Sequence, residues 1–204
     1  MSTRTLEGVN VLCRLRLDPG STGQNECLIL DRATLVEAAK VMYKDQWFLE
    51  DVAVSDVLEG FLAMYHFARW EQAGRVTLKA LAPHDDPSFP SIAGVYQGAE
   101  WHERESMDFY AVRFTGIPND APLLLTEDMI GLGPLRKDEK NRKSWLDLMP
   151  AFEIIESPED HPLVALVAQR KEAAEKAAKE AEEKKKAAAE KAKKAAAEKA
   201  AAGA

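Results

Sequence analysis

Phe61-Leu-Ala-Met-Tyr-His-Phe-Ala-Arg-Trp70 is the stretch that decides the fold. Phe61, Ala63, Tyr65 and Phe67 alternate with Leu62, Met64, His66 and Ala68, the period of two that a strand imposes on its side chains. Aromatic and apolar residues on both faces predict a central strand covered on both sides. Glu71 to Gly74 reads as a short loop. Arg75 to Ala82 then returns with Val76, Leu78 and Ala80 in alternation, as a hairpin partner.

Toward the N-terminus, Trp47 to Val54 is strand-like but interrupted by Glu50 and Asp51. Asp31 has the chemistry of a helix N-cap, with Thr34 and Glu37 spaced as an overlapping capping box. Leu35, Ala38, Ala39 and Met42 follow at i, i+3, i+4 and i+7, which predicts an amphipathic helix over residues 32–44. Residues 9–17 alternate through Val9, Val11, Cys13, Leu15 and Leu17, predicting a half-buried strand, and Glu26 to Leu30 a second one.

Toward the C-terminus, Pro83, Pro87 and Pro90 exclude a regular element over residues 83–92. A helix is expected to start near Gly94–Gly98 and run through Trp101 to about Tyr110. From Gly116 to Pro150 the chain is loop-rich, and long loops commonly carry function or lie against a partner. Residues 158–169 read as one further short helix. The expected fold class is α+β: a mixed or antiparallel sheet with packed helices, a loop-rich C-terminal part and an exposed Ala/Lys/Glu helical tail. The expected division is a domain over residues 1–157 and a charged tail over 158–204.

That tail differs in kind from the rest. Residues 170–204 are almost entirely Ala, Lys and Glu, with Glu-to-Lys pairs at i,i+4 such as Glu172/Lys176 and Glu190/Lys194. Such pairs and propensities favour a solvated single helix of roughly 50 Å, and there is no apolar seam for a coiled coil. The chain's formal charge is −7 and the tail carries +4, which leaves −11 on residues 1–169. An acidic body argues against nucleic-acid partners, which require a basic face, and against direct attraction to anionic lipid. No apolar run is long enough to span a bilayer, and the N-terminus lacks a signal-peptide pattern, so a cytoplasmic protein is expected. Cys13 and Cys27 are the two cysteines, with no CxxC spacing. They are expected to be buried thiols rather than disulfide partners or cluster ligands.

The densest segment is Trp101-His-Glu-Arg-Glu-Ser-Met-Asp-Phe-Tyr-Ala-Val-Arg-Phe-Thr-Gly116. On a helix, Trp101, Arg104, Glu105 and Asp108 fall on one stripe, with Arg104 spaced to pair with Asp108 and Glu105 able to join. Met107, Phe109 and Tyr110 add apolar surface beside it. Three readings are open: an acid/base site, a docking surface and a structural ion-pair network. No Ser, His or Cys stands in a nucleophile–base arrangement here, which weighs against catalysis. Elsewhere, His66 reads as a satisfied core histidine, His84 and His161 as surface residues, and His102 as an interface contact. Asp85-Asp86 makes at most a weak cation site, and Gly131-Leu-Gly133 lacks the context of a phosphate loop.

Phe89-Pro-Ser-Ile, followed by Ala99, Trp101, Glu103, Arg104, Glu105, Asp108, Phe109, Phe114 and Gly116, resembles the signature of the complex I 30 kDa subunit family. Gly133-Pro-Leu-Arg-Lys-Asp138 resembles that family's closing block, and Tyr65-His66 its central strand. The order and spacing agree from about Leu28 to Asp138. The chain departs from the pattern after Gly116, where the usual His and Arg are missing, and at Ala111, where Gly is usual. The resemblance implies a hydrophilic-arm subunit of a complex I-like NADH:quinone oxidoreductase, with no active site and no cofactor of its own. FMN, iron–sulfur clusters and quinone are then expected in partner subunits. It implies docking on the 49 kDa-type large subunit, on the cytoplasmic side of the membrane, and membrane contact only through the complex. Trp101, Glu103, Arg104, Glu105, Asp108 and Phe109 would form the interface and loop anchor. Arg136, Lys137 and Asp138 would pin the 116–140 loop onto the partner. Equivalent subunits of ferredoxin- or F420H2-linked quinone reductases and of energy-converting hydrogenases fit the same pattern. A free-standing binding module is the reading from another class.

Overall fold

A computed structural model describes residues 5–70, 73–170, 172, 173 and 176. The chain divides into two compact units, Met1–Pro158 and Glu159–Ala204. The second contains a helix over residues 162–170, and the expected helical tail lies almost wholly outside the described residues. The first unit runs β1 (Cys13–Leu17), a one-turn α1 (Pro19–Thr22), β2 (Glu26–Leu30), α2 (Leu35–Lys44), β3 (Phe48–Val57), β4 (Gly60–Ala68) and β5 (Arg75–Ala82). It continues with β6 (Ser88–Pro90), α3 (Ala99–Tyr110), β7 (Arg113–Thr115) and β8 (Phe152–Glu156). Six strands make one mixed sheet in the order β3-β4-β5-β2-β1-β8, and β6 and β7 form a separate parallel pair. The class is α+β, as expected.

The sheet grows from the hairpins around β4. Its alternation places Phe61, Ala63, Tyr65 and Phe67 in one buried cluster with Leu28, Leu78 and Ala80 from neighbouring strands. Leu35, Ala38, Ala39 and Met42 of α2 close over that cluster, the face their spacing specifies. The β3–β4 turn is tight because Gly60 adopts φ +150°, and a Cβ there would stand 2.1 Å from the Ala82 carbonyl oxygen. Glu50 and Asp51 do not break β3. They sit at a register shift between Leu49 and Asp51, so the strand bulges and continues to Val57.

Several expectations need correction. The first strand starts at Cys13, not at residue 9. Leu6 and Gly8 take left-handed backbone, which turns the chain so that Leu6 is buried in the core. Asp31 does cap, accepting the Ala33 amide at 2.8 Å. Thr34, however, donates its hydroxyl back to the Asp31 carbonyl and makes no capping box. A 3-10 turn over Arg32–Thr34 therefore leads into α2. The second face of β4 is only partly covered, since Met64 and His66 are half-buried. The proline-rich stretch does hold a strand. Ser88–Pro90 pairs with Arg113–Thr115, and the prolines are tolerated because Pro87 supplies only its carbonyl, to the Arg113 amide.

Candidate functional site: the third helix and the loop it holds

One face of α3 turns into the protein. Glu103, fully buried, accepts from the Ser91 hydroxyl at 2.5 Å and from the Ile92 amide at 2.9 Å. It thereby fixes the turn that leads into the helix. Burial pushes its carboxyl up to about 7, against those two hydrogen bonds and with some help from Glu100.

The adjacent stripe holds the loop after Gly116. Arg104 donates through Nε to the Ala121 carbonyl (2.8 Å) and through Nη2 to that of Pro122 (3.0 Å). Asp108 accepts three successive amides on Oδ2: Leu123 at 3.0 Å, Leu124 at 2.7 Å and Leu125 at 3.0 Å. Burial alone would raise the Asp108 carboxyl, but the three amides and the Arg104 charge outweigh it and hold it below its ordinary value. The expected Arg104–Asp108 pair is therefore not a direct one. The two side chains grip neighbouring peptide groups of one loop, and the acid facing Arg104 is Glu100, at 3.7 Å. The expectation that Glu105 joins that pair is likewise corrected: the partners of Arg104 are mainly carbonyls, Glu105 is exposed, and the buried acids of the motif are Glu103 and Asp108.

The helix ends on Ala111, in the left-handed region at φ 49°, ψ 36°, with its amide bonded to the Met107 carbonyl. The Pro-Leu-Arg-Lys block folds back onto this end. The Leu135 amide donates to the Phe109 carbonyl (3.0 Å), and Arg136 donates to those of Tyr110 (2.7 Å) and Ala111 (3.2 Å). A cation thus satisfies the open carbonyls of a helix C-terminus, with its guanidinium 5.0 Å above the Phe61 ring. Lys137 contributes its amide, not its ammonium, to Asp56 at 2.8 Å. Asp138 and Glu105 are exposed, Phe109 is half-buried, and Trp101 presents 65% of its surface.

Sequence reasoning missed the hub of this region. Asp56, fully buried at the end of β3, accepts from His84 Nε2 at 2.8 Å and faces Arg142 Nε at 2.9 Å, in addition to the Lys137 amide. Burial opposes ionisation of its carboxyl, but these partners prevail and lower it. His84, expected on the surface, belongs to this hub and packs edge-on against Phe61. Three residues on, Glu59 takes the Ser144 hydroxyl and the Trp145 amide. A signal for Asp56 did exist: it follows Val52 and Val54 at the inward parity of the strand, where an acid needs partners. Asp86 is similarly committed, to Arg32 and Arg113. Among the described residues no cluster has the makings of a metal site, and none of their helices is long and apolar enough to cross a membrane.

The carboxylates Glu103, Asp108 and Asp56 are all engaged in holding backbone, and the loop that Asp108 and Asp56 support displays Leu124, Ile130, Leu132 and Leu135, each at least half exposed. The fold and site define an α+β domain that displays an apolar loop held by charged side chains. Residues 28–144, more than half of the chain, match the family described as "Respiratory-chain NADH dehydrogenase, 30 Kd subunit", and the chain belongs to that family. The C subunit of the F(420)H(2) dehydrogenase of Methanosarcina mazei is 42% identical over 76 residues, 37% of this chain and 48% of the relative. The C subunit of the NADH-quinone oxidoreductase of Roseiflexus sp. is 38% identical over 94 residues, 45% of this chain and 53% of the relative. The chain spans about half the length of the curated relatives it matches. A chain in the membrane-bound sulfane sulfur reductase, an archaeal respiratory membrane complex, shares the fold, with a TM-score of 0.55 and 20% identity over 67% of this chain and 81% of that one.

Proposed function

We propose that this chain is a hydrophilic-arm subunit of a complex I-like NADH:quinone oxidoreductase. It docks on the 49 kDa-type large subunit at the cytoplasmic side of the membrane, and supports electron transfer to quinone coupled to proton translocation. FMN, iron–sulfur clusters and quinone belong to its partners. The chain's own contribution is to hold the large subunit through the 117–138 loop, with Trp101, Phe109 and the exposed Glu105, Lys137 and Asp138 at its margin. The observation that carries this reading is the exposed leucine and isoleucine series on a loop clamped by Asp108, Arg104, Arg136 and Asp56. Apolar side chains held out to solvent on a fixed backbone are what an interface core needs, because the ordering entropy is met before binding.

The test is co-purification with the large subunit. Leu132→Glu with Leu124→Glu, both at exposed positions, leaves the chain folded and lowers retention of the large subunit by at least about tenfold. Full retention by that double variant overturns the reading. Arg104→Ala impairs assembly before any catalytic step, so assembled complex that turns over slowly would contradict a docking role. A second reading concerns the donor, and the M. mazei relative favours it: F420H2 replaces NADH. Oxidation of each donor by the purified complex separates the two.

A further inference from the structure

The other end of the sheet carries a feature that the docking loop does not use. From Gly60, beside the Asp56 hub, β4 runs nine residues to Ala68, about 27 Å at the rise of a strand. There Trp70 stacks on Phe48, with ring centroids 4.5 Å apart and planes at 23°. Trp70 is 86% exposed, the most exposed large apolar side chain among the described residues. The stack borders an open cavity of about 610 Å³ whose other walls include Arg69, Arg75, Glu50 and Asn25.

Charge distinguishes this cleft from an ordinary surface dent. Arg14, Arg16, Arg32, Arg75, Arg113 and Arg142 each face a carboxylate within 3.2 Å. Arg104 and Arg136 donate to carbonyls. Arg69 lies over the Trp47 ring at 4.3 Å, and among the described residues its Nε has no acceptor and its guanidinium no carboxylate. The body carries a net charge of −11, yet its described residues offer no acid to this arginine beside the most exposed tryptophan. Arg75 and Asn25 keep the wall fixed. Glu50 takes Arg75 Nε on both oxygens, at 2.9 and 2.8 Å, and Asn25 Oδ1 accepts the Arg75 amide at 3.0 Å.

We propose that this cleft is a second docking site, which receives a segment of another subunit bearing a carboxylate beside a proline or aromatic ring. The proposal rests on the chain's being a subunit of a larger complex. The ring lies on the Trp70–Phe48 stack, and the carboxylate bridges to the planar guanidinium of Arg69, which Trp47 already orients. Tryptophan and arginine are both among the residue types enriched at the energetic centres of interfaces.

Photo-crosslinking in the assembled complex tests this. Trp70→p-benzoylphenylalanine changes only an exposed side chain, and the same substitution at Leu132 reports on the docking loop. The expected result is a crosslink from position 70 to an acid-containing segment of a protein subunit, different from the segment that position 132 reaches. Arg69→Glu then lowers retention of that subunit by at least about tenfold, and reversing the crosslinked acid to Arg restores it. Arg69→Gln, which keeps the packing on Trp47, gives a partial loss. Crosslinking at 132 without any at 70, or at 70 to lipid alone, overturns the second site only. Failure at both positions removes the complex reading and this proposal with it. Unchanged retention in Arg69→Glu overturns the charge-matched occupant.

Discussion

The sheet around β4 and the loop after Gly116 are fixed by opposite means. In the sheet, Phe61, Tyr65 and Phe67 are held by apolar packing shared among many neighbours. In the loop, a few charged side chains, Asp108, Arg104, Arg136 and Asp56, hold backbone groups directly. A packed core spreads its stability over its whole surface, so no single polar group decides it. A loop whose apolar residues point to solvent has no such reserve, and each carboxylate removed leaves amides without an acceptor. The difference is what the proposed docking role requires: the leucines stay exposed because the chain is held by other groups.

The largest effect separates the two regions from the core side. Phe67→Ala, at a fully buried position, lowers global stability by about 3–5 kcal/mol. Chemical denaturation should show one cooperative transition shifted for sheet and loop alike. A loop that keeps its wild-type midpoint while the sheet loses stability would mean the two are not coupled.

The next effect comes from pH and has one sign at Glu103, which holds the turn into α3, and the opposite sign at Asp56 and Asp108, which hold the loop. The folded carboxyl of Glu103 lies at about 7, above the ordinary value of 4.5. The folded state therefore binds this proton more tightly than the unfolded one. The stabilisation is complete below pH 4.5 and is lost as pH rises to about 7, by roughly 3 kcal/mol. Glu103→Gln removes this slope, which urea denaturation across that range would register; an unchanged slope would assign it to another group. Asp56 and Asp108 behave in the other sense. Their folded values lie below 3.8, so their contribution is present above that pH and disappears as acid protonates them.

Asp108→Ala tests the loop alone. Three amides lose their acceptor, and the loop is destabilised by about 2–3 kcal/mol. Hydrogen exchange should speed up at residues 123–125 by more than it does at the amides of β4. Equal loss of protection in β4 would show that Asp108 supports the whole fold.

The unequal legibility of the two regions in the sequence follows from the same contrast. Alternation over Phe61–Ala68 and the i, i+3, i+4 spacing of Leu35–Met42 are local signals, and the sheet and α2 formed where they point. The family assignment was also legible, because the Glu-Arg-Glu helix and the Pro-Leu-Arg-Lys-Asp block combine at a specific spacing. What those charges touch was not. Arg104 reaches across 17 residues to Ala121, Asp108 across 15 to Leu123, and the Lys137 amide reaches Asp56 across 81. Helical spacing places Arg104 and Asp108 as neighbours, which suggested a mutual pair. Unpaired loop peptides compete for both, and a carboxylate that takes three amides outweighs one surface ion pair. The alternation of Val9 and Val11 misled in the same way, because the burial of Leu6 overrode the local pattern there.

The smallest effect concerns the joint between the regions. Ala111 ends α3 in the left-handed conformation, at φ 49° and ψ 36°, where a Cβ crowds the following carbonyl and costs roughly 1–2 kcal/mol. Both of its backbone groups are engaged in that geometry, the amide with Met107 and the carbonyl with Arg136. The conformation is thus imposed by the cap and by the returning loop together. Ala111→Gly relieves the crowding, while the added freedom of the unfolded chain offsets about 0.4–1 kcal/mol of the gain. The net expectation is a stabilisation of roughly 0.5–1 kcal/mol, or an increase of about 1–4 °C in Tm for a chain of this size. It should slow exchange at the Ala111 amide. A lower Tm would show that the alanine methyl makes packing contacts worth more than the strain it brings.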